Sequence, residues 1–355
     1  MRGVPADLLS RIGSWPLVRA VLAPTPRSIR LIALTGVIAD TVIMSTGAAV
    51  RLSSSGLGCP DWPRCSTADV VASKNAGQTL VNTWIEFSNR LLNFPLVIIA
   101  ALVFIAAWRF RPQEPQGPGG EKRRDLFWLG VAQPAGVVAQ AVIGGIVVLT
   151  KLAPAAVSVH FLVSASIVAA AVTLYARCGE GTVPLTPQIP STPATPVVRR
   201  DLRLLSAALV AVTAVMLAAG TVVTGTGPLA GNAAAPRYKL PLEGVTQLHA
   251  DIGWLMTGLA VALVLGLRVS GAPPRAMRAA WIMIAALGLQ GVIGYVQYFN
   301  HLPAGLVWCH VTGAVLVWIA VLSLFFALRD RGPVNTARTG PLATAPARQP
   351  EPLDR

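Results

Sequence analysis

Charged side chains are scarce in this chain. Asp, Glu, Lys and Arg make up 12% of its 355 residues, about half of the roughly 25% usual in a soluble domain. So few charges cannot cover a soluble surface. Disorder is excluded from the other direction: 54% of the residues are hydrophobic and mean hydropathy is +0.61, whereas disordered chains are poor in apolar residues. Histidine and cysteine are rare, four of each, so every one can be weighed. The common soluble-enzyme motifs are missing: no Walker loop, no Rossmann glycine fingerprint, no HExxH and no hydrolase elbow. Before Leu31 there is no long apolar run followed by a small-residue cleavage site, so a cleaved signal peptide is not expected.

What the chain has in quantity is long apolar runs. A spanning helix needs about 20 mainly apolar residues, and eight stretches qualify: 31–50, 89–108, 126–149, 156–176, 204–224, 245–267, 280–299 and 305–328. The expected fold class is an all-α polytopic membrane protein with eight transmembrane helices. The net charge of +14 would point to a nucleic-acid partner in a soluble protein. Here it is better read as an orientation signal. With the N-terminus in the cytoplasm, 22 of the 29 cations fall in 1–30, 109–125, 177–203, 268–278 and 329–355. The other seven are Arg51, Arg64, Lys74, Arg90, Lys151, Arg237 and Lys239. This is the positive-inside pattern. It predicts a multi-pass plasma-membrane protein with both termini cytoplasmic and no nucleic-acid partner. Residues 112–121, 179–198 and 332–355, rich in Pro, read as flexible cytoplasmic linkers and a tail.

The chain also repeats itself. QAVIGGIVVLTKLAPAAVSVH at 140–160 aligns without gaps with QGVIGYVQYFNHLPAGLVWCH at 290–310, with seven of 21 positions identical. Gln140/Gln290, Gly144/Gly294 and His160/His310 are among them. Shared apolar composition would give about two matches, so the repeat is real. Its unit is four helices, and an even number of spans keeps both halves in one orientation. Two four-helix bundles related by a pseudo-twofold axis along the membrane normal are expected. The expected division is a cytoplasmic segment 1–30, an N-terminal bundle 31–176, a linker 177–203, a C-terminal bundle 204–328 and a tail 329–355.

Three of the four histidines, His160, His249 and His310, lie in or at the ends of apolar helices, all near the outer leaflet by this topology. Ionisable groups there are costly and usually functional. A lone helical histidine is more often a hydrogen-bonded core residue. The repeat and the shared depth favour ligation instead: His249 and His310, on facing helices of one bundle, can supply both axial ligands of a haem. His301 reads as a solvated loop residue. In the other bundle His160 matches His310, but the place of His249 is taken by Asn89, a poor iron ligand. A haem held there by His160 alone keeps one iron face open, which suits a substrate rather than electron transfer.

Glu86, Asn89 and Arg90 are spaced i, i+3, i+4 and share a helix face. Glu86 is either a carboxylate at the edge of that cavity or an interfacial Glu paired to Arg90. Cys59 and Cys65, in GLGCPDWPRC, lie in an external loop, where disulfides persist. A structural staple, a reversible dithiol and, more weakly, a zinc site are open to them. Cys178 and Cys309 read as small hydrophobes. Asp40, in the middle of the first span, has no assigned role.

Together these residues resemble the haem A synthase family, in an actinobacterial-type variant. The motifs are VRLSSSGLGCPDWPRC at 50–65, IEFSNRLL at 85–92, QAVIGGIVV at 140–148 with His160, TQLHADIG at 246–253, and QGVIGYVQYF at 290–299 with His310. The resemblance covers nearly all of 31–328. It implies a metal-binding oxidoreductase of haem A biosynthesis. It places a haem B cofactor, for electron transfer, on His249 and His310, and the substrate haem O on His160, with Asn89 and Arg90 in its pocket. It makes Glu86 the essential carboxylate and Cys59–Cys65 a disulfide. The implied reaction oxidises the C8 methyl group of haem O to a formyl group by successive hydroxylations. A haem O synthase and cytochrome oxidase assembly are implied partners, beside quinol or another electron partner. The family's usual Glu-x-x-His ends here in Asn89, which leaves one ligand for the substrate haem. The alternatives are a non-enzymatic di-haem b-type membrane electron carrier, which has no need of Glu86 or a one-ligand site, and a transporter.

Overall fold

The structure is a computed structural model and describes residues 15–66, 71, 79–111, 123–180 and 195–330. A short helix, α1 (Pro16–Leu22), precedes α2 (Pro26–Leu52), which is followed by α3 (Leu80–Leu91), α4 (Asn93–Arg109), α5 (Arg124–Leu149) and α6 (Pro154–Cys178). The second half comprises α7 (Arg200–Thr226), α8 (Leu242–Val269), α9 (Pro274–Phe299) and α10 (Ala304–Ala327). Among the described residues eight segments are long and apolar enough to cross a membrane, with α3 and α4 together forming the second.

The spans agree in number and place with the apolar runs, and most extend beyond them because polar end residues are also helical. Helix α2 starts at Pro26, five residues before the apolar run, since Thr25 and Ser28 close a capping box that satisfies end amides. The second span starts nine residues early. Residues 80–88 are too polar for the apolar criterion, yet Thr83 and Glu86 lie on a buried face there. This span breaks at Leu92. Pro95 lacks the N–H that would bond the Leu91 carbonyl, and its ring crowds that oxygen.

Helices α2, α4, α5 and α6 close one ring of neighbours, and α7, α8, α9 and α10 close a second. The rings join through α2–α10, α6–α10 and α6–α7. An apolar core lies along that junction, with Val37, Val168, Leu217, Val315 and Trp318 buried in it. Polar ties cross the junction: Trp318 Nε1 donates to the Ala165 carbonyl at 2.9 Å, Trp308 Nε1 to the Ser45 carbonyl at 3.0 Å, and the Ser45 and Thr312 hydroxyls meet at 2.9 Å.

The repeat shows in backbone conformation. Lys151 and Leu152 between α5 and α6 have φ of 55° and 63°, and His301 and Leu302 between α9 and α10 have 58° and 60°. The Leu152 N–H donates to the Val147 carbonyl, and the Leu302 N–H to the Gln297 carbonyl, each at 2.8 Å.

The expected linker is pinned at both of its described ends. Thr195–Pro196 (β1) pairs antiparallel with Arg329–Asp330 (β2), and Arg329 bridges to Glu180 at 3.1 Å. Residues 112–122, 181–194 and 331–355, on which the remaining linker and tail expectations fall, lie outside the described residues. So does Lys74.

Candidate functional site

Helix α3 presents Glu86 and Arg90 one turn apart to the loop that follows α2. Glu86 is 6% exposed. One carboxylate oxygen accepts the Cys59 N–H at 2.8 Å, and the other accepts Arg90 Nε at 3.1 Å and Arg90 Nη2 at 2.5 Å. Arg90 also donates to the carbonyls of Asp61 at 2.9 Å, Arg64 at 3.1 Å and Cys59 at 2.9 Å. A guanidinium has five N–H donors, and here all five are engaged. The pairing of Glu86 to Arg90 that the sequence left open is present.

The loop itself is closed by the Cys59–Cys65 disulfide, and both cysteines are buried. That pairing removes the zinc alternative. Gly58 lets the loop lie flat on α3, since a Cβ there would collide with the Asn82 carbonyl. Trp62, followed by a cis bond to Pro63, covers Gly145 of α5. A Cβ at Gly145 would fall 2.8 Å from its ring. The loop thus spans from α3 to α5 as a roof.

Helix α6 carries His160 at the same end of the bundle. The Gln140 amide nitrogen of α5 donates to the His160 carbonyl at 3.0 Å and to Ser164 Oγ at 2.5 Å. This fixes the turn that carries the imidazole. Gly144 leaves room for the ring: a Cβ there would lie 3.4 Å from Cε1. His160 Nδ1 and Asn89 Oδ1 are both buried without a hydrogen-bond partner. Buried polar atoms in native proteins are nearly always satisfied, so each marks a place where a partner belongs.

The second half has the matching arrangement with a second imidazole. The Gln290 amide nitrogen donates to the His310 carbonyl at 2.7 Å, as Gln140 does to His160. His249 of α8 and His310 of α10 face each other with ring centroids 6.3 Å apart and planes at 69°. Two axial imidazoles on one metal ion place their centroids about 6 Å apart, given metal–nitrogen bonds of about 2 Å on each side. The pair therefore fits a hexacoordinate haem iron. Glycines make the space again: a Cβ at Gly220 would lie 3.2 Å from His249 Cε1, and one at Gly294 would lie 3.1 Å from His310 Cε1. His249 Nδ1 is buried and unpartnered.

His301 is exposed in its left-handed turn. Cys178 is buried and Cys309 exposed, both as free thiols. Asp40 is 7% exposed, with Oδ2 unpartnered. Sequence reasoning missed the work of Gln140, Gln290 and the three glycines beside the imidazoles. The repeat already paired Gln140 with Gln290 and Gly144 with Gly294, which was the available signal. Gly220 had none. Arg51 was also missed. Its guanidinium leaves α2 and donates to the carbonyls of Leu229 at 2.9 Å and Thr224 at 2.7 Å in the other half.

Comparison with known proteins adds to this geometry. The COX15-CtaA family, described as cytochrome oxidase assembly protein, matches residues 30–322. A protein named Heme A synthase from Bradyrhizobium sp. (strain ORS 278) is 27% identical over 331 residues, covering 80% of this chain and 86% of that one. Another of that name, from Rhodopseudomonas palustris (strain HaA2), is 26% identical over 352 residues, covering 85% and 90%. A third, from Geobacillus thermodenitrificans, is 25% identical over 116 residues, and this match spans only about a third of either chain, 33% and 32%.

Proposed function

The chain belongs to the COX15-CtaA family of cytochrome oxidase assembly proteins, and from that premise we propose that it is a haem A synthase, oxidising the C8 methyl group of haem O to a formyl group. The observation that carries the reading is the asymmetry between its halves. One half sets two imidazoles face to face at 6.3 Å. The other has one imidazole, His160, matched to His310 by the repeat, and a buried, unpartnered Asn89 on the helix that the sequence aligns with the one carrying His249. The first arrangement suits a haem that only passes electrons; the second suits a haem on which chemistry is done.

In this reading His249 and His310 would hold haem B, whose chemistry would be one-electron transfer. His160 holds the iron of haem O from one side. The methyl carbon is oxidised twice. Each hydroxylation adds the oxygen of one water and releases two protons and two electrons, the electrons passing to an external acceptor of the quinone class, and the resulting geminal diol loses water to leave the formyl group. Glu86 is the catalytic carboxylate. Three N–H donors already hold it in place, so it acts as a fixed negative charge rather than a mobile base. Such a charge stabilises the cation that develops at the methyl-derived carbon or orients the water that adds to it, and preorganised charge of this kind is usually the largest catalytic term. The disulfide loop, held by Arg90, roofs the site. Asn89 lines it without ligating. The positive-inside charge pattern supports an orientation with this end of both bundles at the outer face of the plasma membrane and both termini in the cytoplasm. Haem O synthase and cytochrome oxidase stand before and after it in the sequence of reactions.

The test is co-expression with a haem O synthase, followed by haem extraction and chromatography. Haem A is expected with the intact chain and absent with Glu86→Ala. Haem B alone with the intact chain would instead make the protein a di-haem electron carrier.

A further inference from the structure

The substrate assigned to His160 carries two propionate carboxylates, and Arg90, the basic side chain nearest to that role in the sequence, has no donor left for them. Two other guanidiniums are in a different state. Arg51, at the end of α2, donates to the carbonyls of Leu229 and Thr224. Arg237, in the segment between α7 and α8, donates to the carbonyls of Pro228 at 3.0 Å and Ala235 at 2.5 Å. Pro228 and Leu229 are consecutive, so both guanidiniums are anchored to one stretch of backbone. Among the described residues neither has an acidic partner. Toward the described residues each uses two of its five donors.

Two adjacent cations at an apolar boundary repel, and the repulsion grows as the effective dielectric falls. The backbone carbonyls fix the groups but do not neutralise them. An anion shared by the two would offset that repulsion, and the planar fork of Arg matches a carboxylate bidentately.

The position agrees. The segment carrying Arg237 belongs to the second half but is docked on the first. Gly56 N–H donates to the Gly231 carbonyl at 3.0 Å. The Tyr238 ring packs on Gly225 and against Pro154, and its hydroxyl meets Ser158 Oγ at 3.4 Å. Pro154 and Ser158 open the helix that bears His160. We propose that Arg51 and Arg237 form a carboxylate-binding pair that receives the propionates of the haem held by His160, so that a loop of the second half anchors the substrate of the first. This rests on the haem A synthase reading above. A lipid phosphate offers the same oxyanion chemistry, and the experiment separates the two.

Purified full-length protein, its His249–His310 site already filled with haem B, is titrated with haemin and with haemin dimethyl ester, whose propionates are masked, and the added binding is followed by the Soret difference band. The intact chain is expected to prefer the free acid by about tenfold or more, the scale of a charge-assisted bidentate contact. Arg237→Gln and Arg51→Gln should abolish that preference while leaving ester affinity unchanged. Arg237→Lys should keep part of it. Arg237 lies in a loop, so its variants remain informative even if Arg51→Gln unfolds, and thermal melts verify this. Retention of the acid preference by Arg237→Gln and Arg51→Gln overturns the proposal and leaves the haem reading intact. Failure of the intact chain to bind either porphyrin overturns both. A final arm repeats the titration in nanodiscs of phosphatidylglycerol and of phosphatidylcholine. Competition by phosphatidylglycerol that vanishes in Arg237→Gln, without acid preference, assigns the pair to lipid phosphate and overturns the proposal.

Discussion

Glu86 has two separable duties, and its substitutions tell them apart. It accepts the Cys59 N–H and it neutralises Arg90. Glu86→Ala removes both and leaves a largely buried guanidinium without a counter-charge. A loss of about 3 kcal/mol is expected, the low end for breaking a buried pair. It would be read as a lower unfolding midpoint and faster proteolysis in the disulfide loop. Glu86→Gln keeps an acceptor for Cys59 and removes the charge. If the fixed charge serves the chemistry, Glu86→Gln should abolish haem A formation while the loop stays protected. Normal haem A output from Glu86→Gln would reduce Glu86 to a residue that positions the loop. The i, i+4 spacing of Glu86 and Arg90 was legible in the sequence. Their shared grip on a loop some 25 residues earlier was not, because spacing along one helix says nothing of what packs across it.

At the scale of the helix, the imidazoles depend on glycines of their neighbours. Gly294 of α9 stands beside His310 and Gly220 of α7 beside His249, each too close for a Cβ without displacement. Gly294→Leu and Gly220→Leu are therefore expected to push the rings out of register. The protein should lose the low-spin absorption of a bis-histidine haem while its helix content by circular dichroism is kept. His301→Gly is the control from the same hairpin. The residue sits at φ 58°, where a side chain costs about 1 kcal/mol that glycine avoids. Its expected outcome is a slightly more stable protein with an unchanged haem spectrum. A lost spectrum would make His301 a ligand. The matched left-handed turns at 151–152 and 301–302 show why the repeat was readable: the same geometry recurs where the local sequence constrains it. The break at Leu92 was marked by Pro95, but the helical residues 80–88 were hidden by their polarity.

At the scale of the molecule, the halves meet through α2, α6, α7 and α10, and the paired thiols lie at one end of the bundle. In intact cells a membrane-impermeant maleimide should label Lys239→Cys, exposed between α7 and α8, and should spare buried Cys178 throughout. A reporter fused after Arg355 should be active only in its cytoplasmic form. Labelling that requires permeabilised cells would invert the proposed orientation.

The sequence by itself determined the eight spans, the four-helix repeat, the charge asymmetry and the three histidines worth weighing. These follow from hydropathy, spacing and composition, which act along the chain. Tertiary structure decided which groups meet: the 6.3 Å separation of His249 and His310, the commitment of Arg90 to Glu86 and the loop, and the docking of the Arg237 segment onto the other half. Those depend on helix rotation and crossing. In an apolar chain these are set by close packing at small residues and by a few polar ties between elements distant in sequence, which no local pattern encodes.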